Sequence, residues 1–133
     1  MQTVMQDHPL AGRLISGLAV AFLIFDSIGK LLRVAPVIDG TRQLGYPPDI
    51  VFSLGVTLLS CVLVYLVPRT SVLGAVLLTG YLGGAVATHV RVGNPLFTHV
   101  LFPVYIAALL WVGLMMRDAR LQAFLPWHDR RRS

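Results

Sequence analysis

Four apolar runs, divided by short clusters of proline, glycine and charge, set the pattern of this chain. The first extends from Leu10 to Leu32, with Asp26, Lys30 and Arg33 punctuating its far end. The second, Ile50 to Val67, carries no charge, and the third, Val72 to Val90, holds only the titratable His89. The fourth runs from Leu96 to Met116 and contains Pro103, where a kink is expected. Spanning roughly 30 Å of hydrocarbon takes roughly 20 residues in a helix, and each run is close to that. A soluble helix would show a polar stripe every turn; the middle two runs show none. The pattern therefore predicts an all-α integral membrane protein, an up-and-down four-helix bundle in one domain over residues 1–133. Its helices are expected at about 10–33, 49–67, 71–91 and 95–117, followed by a short polar C-terminal tail.

The separators support this order. Gly45-Tyr46-Pro47-Pro48-Asp49 breaks the chain and offers prolines and an acid at a helix start. Pro68-Arg69-Thr70-Ser71 is a tight turn, which makes the second and third helices antiparallel neighbours, and Gly93-Asn94-Pro95 is another. Residues 34–48 read as the one long loop. Arg13 followed by Leu14 to Phe25 has features of a signal peptide, but the apolar run continues through Ala19-Val20-Ala21, so an uncleaved first helix is expected.

Composition agrees with a lipid-facing chain. Hydrophobic residues make up 56% and charged residues 13%, against roughly a quarter charged in soluble domains. The net charge is +5, but the cations gather at segment ends, which marks topology rather than nucleic-acid binding. One side collects Arg13, Arg69, Arg117, Arg120, Arg130, Arg131 and Arg132; the other has Lys30, Arg33, Arg42 and Arg91. Seven cations against four favour both termini in the cytoplasm. The tail from His128 to Arg132 can touch anionic headgroups. In the third run Gly80 and Gly84 lie one turn apart, which suits either close packing inside the bundle or a homodimer contact.

The polar chemistry collects at one end. The end of the first helix, the end of the third and the start of the fourth share a membrane side. Asp26, Lys30 and Arg33 fall on one helical face by spacing, and His89, Arg91, Asn94 and His99 come from the other two helix ends. Ionisable groups at membrane depth usually face a protein interior or a wet cavity. One polar pocket near the extracytoplasmic face is expected. In it, Asp26 and His89 are the acid–base candidates, and Lys30, Arg33, Arg91, Asn94 and His99 the ligand-binding ones. The plainer alternative pairs Asp26 with Lys30 or Arg33 and lets the other cations reach headgroups. No metal site is expected: the histidines lack ligand spacing, and no glutamate is present. Cys61 is the single cysteine, so a disulfide or dithiol within the chain is excluded. Phosphate-loop, dinucleotide and nucleophile-elbow motifs are absent.

The stretch Leu73-Gly74-Ala75 through Gly80-Tyr81-Leu82-Gly83-Gly84-Ala85 and Thr88-His89-Val90-Arg91 is distinctive, and Leu44-Gly45-Tyr46-Pro47 and Trp111 to Arg117-Asp118 accompany it. Over about residues 14–126 the chain resembles the DoxX-like family of small four-helix bacterial membrane proteins. The resemblance implies a link to redox physiology, since relatives include a quinone-reducing thiosulfate oxidoreductase subunit and proteins of oxidative-stress defence. Quinone is then the candidate cofactor and a redox enzyme the candidate partner, with Phe22, Phe25 and Tyr81 against the quinone tail. Relatives often carry an acidic residue soon after the glycine matching Gly55; here Thr57 and Leu58 stand there, which removes a carboxylate from any carried-over proton role. Two other readings stay open: a membrane-embedded isomerase or cyclase acting on a lipophilic molecule, and a non-catalytic scaffold.

Overall fold

The computed structural model of the protein describes residues 9–124, so His8 and the tail cluster His128 to Arg132 lie outside the described residues. Six α-helices follow one another there: α1 (Pro9–Leu31), α2 (Ala35–Gln43), α3 (Ile50–Leu66), α4 (Ser71–Arg91), α5 (Phe102–Arg117) and the single turn α6 (Ala119–Gln122). A π-helical turn, Leu96–Val100, leads into α5. α1, α4 and the span Leu96–Arg117 are long and apolar enough to cross a membrane; α3, with 17 residues, is the shorter fourth member of the bundle. α1 packs against α3 and α5, and α4 packs against the same two, so α1 and α4 face each other across a diagonal.

Burial follows the heptad-like spacing that a four-helix core requires. Ala19 and Leu23 of α1 meet Leu58 and Val62 of α3, Leu78 and Leu82 of α4, and Ile106 and Leu110 of α5. The outward faces are as apolar as the core: Leu14, Leu18 and Phe25 on α1, Leu73 and Val76 on α4, and Val104 and Val112 on α5 are exposed. Only 28% of the most apolar window of α1 is buried inside the bundle. An exterior of that kind is compatible with lipid and not with water. The protein is a multi-pass helical membrane protein.

Small residues set the closest seams. A Cβ on Gly74 would lie 2.3 Å from the Tyr65 backbone, and a Cβ on Gly113 would meet Ser16 and the Gly12 carbonyl. Beside the second seam, the Tyr65 hydroxyl donates to the Leu110 carbonyl at 2.7 Å and contacts Ser16 Oγ at 2.9 Å. The Arg117 guanidinium lies over the Tyr65 ring, 5.4 Å from its centre.

Three sequence expectations need correction. Residues 34–48 are not a plain loop, because Ala35–Gln43 forms α2, which starts with Pro36 in its first turn. The break in the fourth span falls before Pro103 rather than at it. Val100 and Leu101 donate to carbonyls five residues back, Pro95 and Leu96, which is π geometry, and the chain restarts as α5 with Pro103 in its opening turn. Proline has no N–H to bond the residue-99 carbonyl, so the irregularity lies on the N-terminal side of the ring. Gly80 and Gly84 do not relieve crowding within the bundle: both are exposed, and nothing lies within 4 Å of a Cβ built on either.

Candidate functional site

A cavity of about 380 Å³ opens between α1 and α4 at the α2 end of the bundle. α1 contributes Phe22, Leu23, Asp26 and Lys30; Asp26 follows Leu23 by three and Phe22 by four, and Lys30 follows Asp26 by four, which puts them on one face. α4 contributes Tyr81, Leu82, Gly84, Ala85, Thr88 and His89 from the opposite wall. Leu54 of α3 and Phe102, Pro103 and Ile106 of α5 close the sides, and the rings of Phe22 and Phe102 meet edge to face at 5.2 Å. The roof comes from α2 and the turn after it, through Thr41, Leu44 and Tyr46.

The roof is strapped to α4 by polar contacts. Thr88 Oγ1 donates to the Gly84 carbonyl at 2.9 Å, which uses its one hydrogen, so the Tyr46 hydroxyl, 2.8 Å away, donates to Thr88. Arg91 donates to the Leu44 carbonyl at 2.5 Å and lies 5.6 Å from the centre of the Tyr46 ring. Between those two residues Gly45 has φ +84°, and a Cβ there would sit 3.0 Å from Arg91 Nη2. Glycine takes the left-handed turn without the strain a side chain would bring and leaves room for the guanidinium.

Asp26 and Lys30, one turn apart on α1, form an ion pair on the cavity wall. The Lys30 side chain is 15% exposed and that of Asp26 32%, so the pair is largely withdrawn from the surface. His89 lines the cavity as well, and its Nδ1 lies 2.7 Å from the Asn94 side-chain amide. With that amide as donor, a neutral His89 keeps its proton on Nε2. His99 stands edge-on to His89 at 5.8 Å between ring centres, its own Nδ1 held by Thr98 Oγ1 at 2.8 Å.

Of the residues singled out from the sequence, the structure brings Asp26, Lys30 and His89 into the lining. Asn94 supports His89 from behind, and His99 is an exposed neighbour. Arg91 sits at the rim and spends its charge on the roof. Arg33 is outside: α1 ends at Leu31, and Arg33 lies in the following turn with φ +52°, fully on the surface. Phe25, 77% exposed, faces away from the cavity, whereas Phe22 and Tyr81 line it. Among the described residues the lining thus holds one carboxylate and one ammonium, with no surplus cation for an oxyanion. Sequence reading missed Thr41, Tyr46 and Thr88; the signal available for the first two was Pro36, a proline in the first turn of α2. No group of three or more metal-ligating side chains occurs among the described residues.

Comparison with known proteins adds the family. No curated protein and no solved structure matches the chain. A family model described as the DoxX-like family matches residues 14–113. That span is well over half of the chain and contains most of α1, all of α2 to α4 and most of α5, including every residue of the cavity lining, and the protein belongs to the DoxX-like family.

Proposed function

We infer that this DoxX-like membrane protein binds a lipophilic, carbonyl-bearing small molecule, with a quinone as the leading candidate, and serves as a redox-associated subunit of the bacterial inner membrane. The observation that carries this reading is the Asp26–Lys30 pair set into a wall otherwise built from Phe22, Phe102, Tyr81 and aliphatic side chains. An apolar pocket with a few convergent polar groups is the usual form of a small-molecule site, and its volume falls within the range of about 300–1,000 Å³ for such pockets. The ammonium has three hydrogens and gives one to Asp26, which leaves donors for a carbonyl oxygen. The balanced charge of the lining favours a neutral ligand over an oxyanion. The test is binding of a short-tailed ubiquinone analogue to the purified protein in nanodiscs, read by thermal shift and by mass spectrometry of retained ligand. Retention that falls at least tenfold in Lys30→Met supports the reading; no retention by the wild type removes it.

A second reading is favoured by Asp26 and His89 lining the same cavity from opposite helices. A carboxylate and an imidazole on two sides of a lipophilic substrate suit proton transfer, as in an isomerase. Exchange of deuterium from solvent into a bound ketone, lost in His89→Ala, separates it from the first. The exposed glycine face of α4 is where a homodimer or a redox enzyme would approach.

A further inference from the structure

Lys30 is the single lysine of the chain; the other ten cations are arginines. At the segment ends this protein uses arginine, at Arg13, Arg33, Arg42 and Arg69 among others, and the roof contact too is made by an arginine, Arg91. The one position that departs from this usage is also, among the described residues, the one lysine or arginine on the cavity wall. An ion pair alone does not call for lysine there, since arginine matches a carboxylate with two parallel hydrogen bonds. A lysine can do what an arginine cannot: lose its proton and attack a carbonyl carbon.

We propose that Lys30 forms a Schiff base with a lipophilic aldehyde held in the cavity, with Asp26 as proton acceptor and then as counter-ion. This rests on the reading of the cavity as a site for lipophilic carbonyl compounds and names a covalent step within it. The ammonium of Lys30 passes a proton to the Asp26 carboxylate. The freed amine adds to the aldehyde carbon, forming the C–N bond of a carbinolamine. Asp26 returns its proton to the carbinolamine oxygen, the C–O bond breaks, and water leaves. The product is an iminium ion carrying the single positive charge that the ammonium carried before, facing the same carboxylate. No oxidant or reductant is consumed. The pair sits one turn apart on α1, so both groups reach the same atom of a ligand between α1 and α4. The apolar walls of Phe22, Phe102 and Tyr81 suit an alkyl or polyene chain and limit the water that would hydrolyse the imine.

The single lysine makes the test sharp. The full-length protein in nanodiscs is incubated with decanal at pH 7 and trapped with cyanoborohydride, and the adduct is located by peptide mass spectrometry. The α-amino group of the same chain is the internal reference. An ordinary α-amino group has a pKa about 2–3 units below that of an ordinary lysine, so an ordinary lysine is labelled more slowly. The expected result is Lys30 labelled at least tenfold over the α-amino group, no Lys30-site adduct in Lys30→Arg, and at least a tenfold slower adduct in Asp26→Asn with its thermal unfolding still cooperative. Ubiquinone-analogue binding is measured on the same samples. Quinone retention with Lys30 labelled no faster than the α-amino group overturns the imine and leaves the binding site standing. Neither retention nor preferential labelling overturns both. Labelling undiminished in Asp26→Asn overturns the part given to Asp26.

Discussion

Lys30 reaches the cavity and Arg33 does not because α1 stops between them, at Leu31. Spacings of four and seven put Asp26, Lys30 and Arg33 on one face of an uninterrupted helix, but the face ends with the hydrogen bonds that define it. The pairing of Asp26 with Lys30 was therefore readable from the sequence, while the fate of Arg33 depended on a helix end that hydropathy does not mark. The pair lies between two regimes: exposed pairs contribute about 0–1 kcal/mol, and breaking a buried one from one side costs about 3–5 kcal/mol. With both side chains partly accessible, Asp26→Asn is expected to destabilise by about 1–3 kcal/mol, and Asp26→Asn combined with Lys30→Met by less than Lys30→Met plus Asp26→Asn taken separately. Denaturation in mixed detergent micelles measures both; strict additivity would mean that the two groups do not interact. Arg91 has a different task. It holds the Leu44 carbonyl and covers Tyr46, so Arg91→Ala should leave the bundle folded and speed amide exchange in residues 41–46 several-fold, an outcome hydrogen exchange reads directly. Unchanged exchange there would show that the roof is held by Tyr46 and Thr88 alone.

Among the elements, the four apolar helices were legible because their apolar runs outlast any soluble pattern, whereas α2 was not. Nine residues with Pro36, Asp39 and Gly40 lack the length and periodicity that signal a helix, and α2 is fixed instead by docking on α1, where a Cβ on Gly29 would come within 3.3 Å of Val37. The glycines of α4 tell a similar story: their spacing was plain, but which side of the helix each faced was not. Gly74 abuts the Tyr65 backbone and Gly80 faces open space. Gly74→Ala is therefore expected to cost about 3 kcal/mol or more, or to prevent folding, because backbone cannot move aside as a flexible side chain can. Gly80→Ala should change stability by no more than about 1 kcal/mol, in the stabilising direction expected of a helix interior. Thermal unfolding of the two variants settles the contrast, and equal losses would place a protein contact on the Gly80 face. At the end of α5, Asp118 starts α6 by accepting from the Arg120 backbone at 3.0 Å. The Arg120 side chain, bonded to it, holds the Asp118 carboxyl below its usual value. A depressed folded-state pKa contributes stability above the unfolded value, lost as pH falls through the folded one. Amide protection in residues 119–122 should accordingly fall at pH below the ordinary aspartate range, and Asp118→Asn should abolish that pH dependence.

At the scale of the whole molecule, the cavity occupies one end of the bundle, so its chemistry depends on which side of the membrane that end faces. Lys30, Arg33, Arg42 and Arg91 belong to the cavity end, and Arg13, Arg69, Arg117 and Arg120 to the other. Those eight divide evenly, four and four, and they are moreover not equivalent: Lys30 is neutralised by Asp26, and Arg91 is bound to the roof. The cation excess expected to set orientation therefore comes from Arg130, Arg131 and Arg132 of the tail. Positive residues near a span resist transfer across the membrane, and adding or removing C-terminal charges can reorient a small protein. The expected topology puts the α3–α4 turn in the cytoplasm and α2 outside. In a Cys61→Ala background, a membrane-impermeant maleimide applied to intact cells should label Asp39→Cys, on exposed α2, and spare Pro68→Cys, in the exposed α3–α4 turn. Replacing Arg130, Arg131 and Arg132 together with asparagine should then bring both positions to partial labelling, as the population divides between two orientations. Labelling of Pro68→Cys but not Asp39→Cys with the tail intact would reverse the assignment, and the Asp26–Lys30 cavity would then open toward the cytoplasm and draw its ligand from that side.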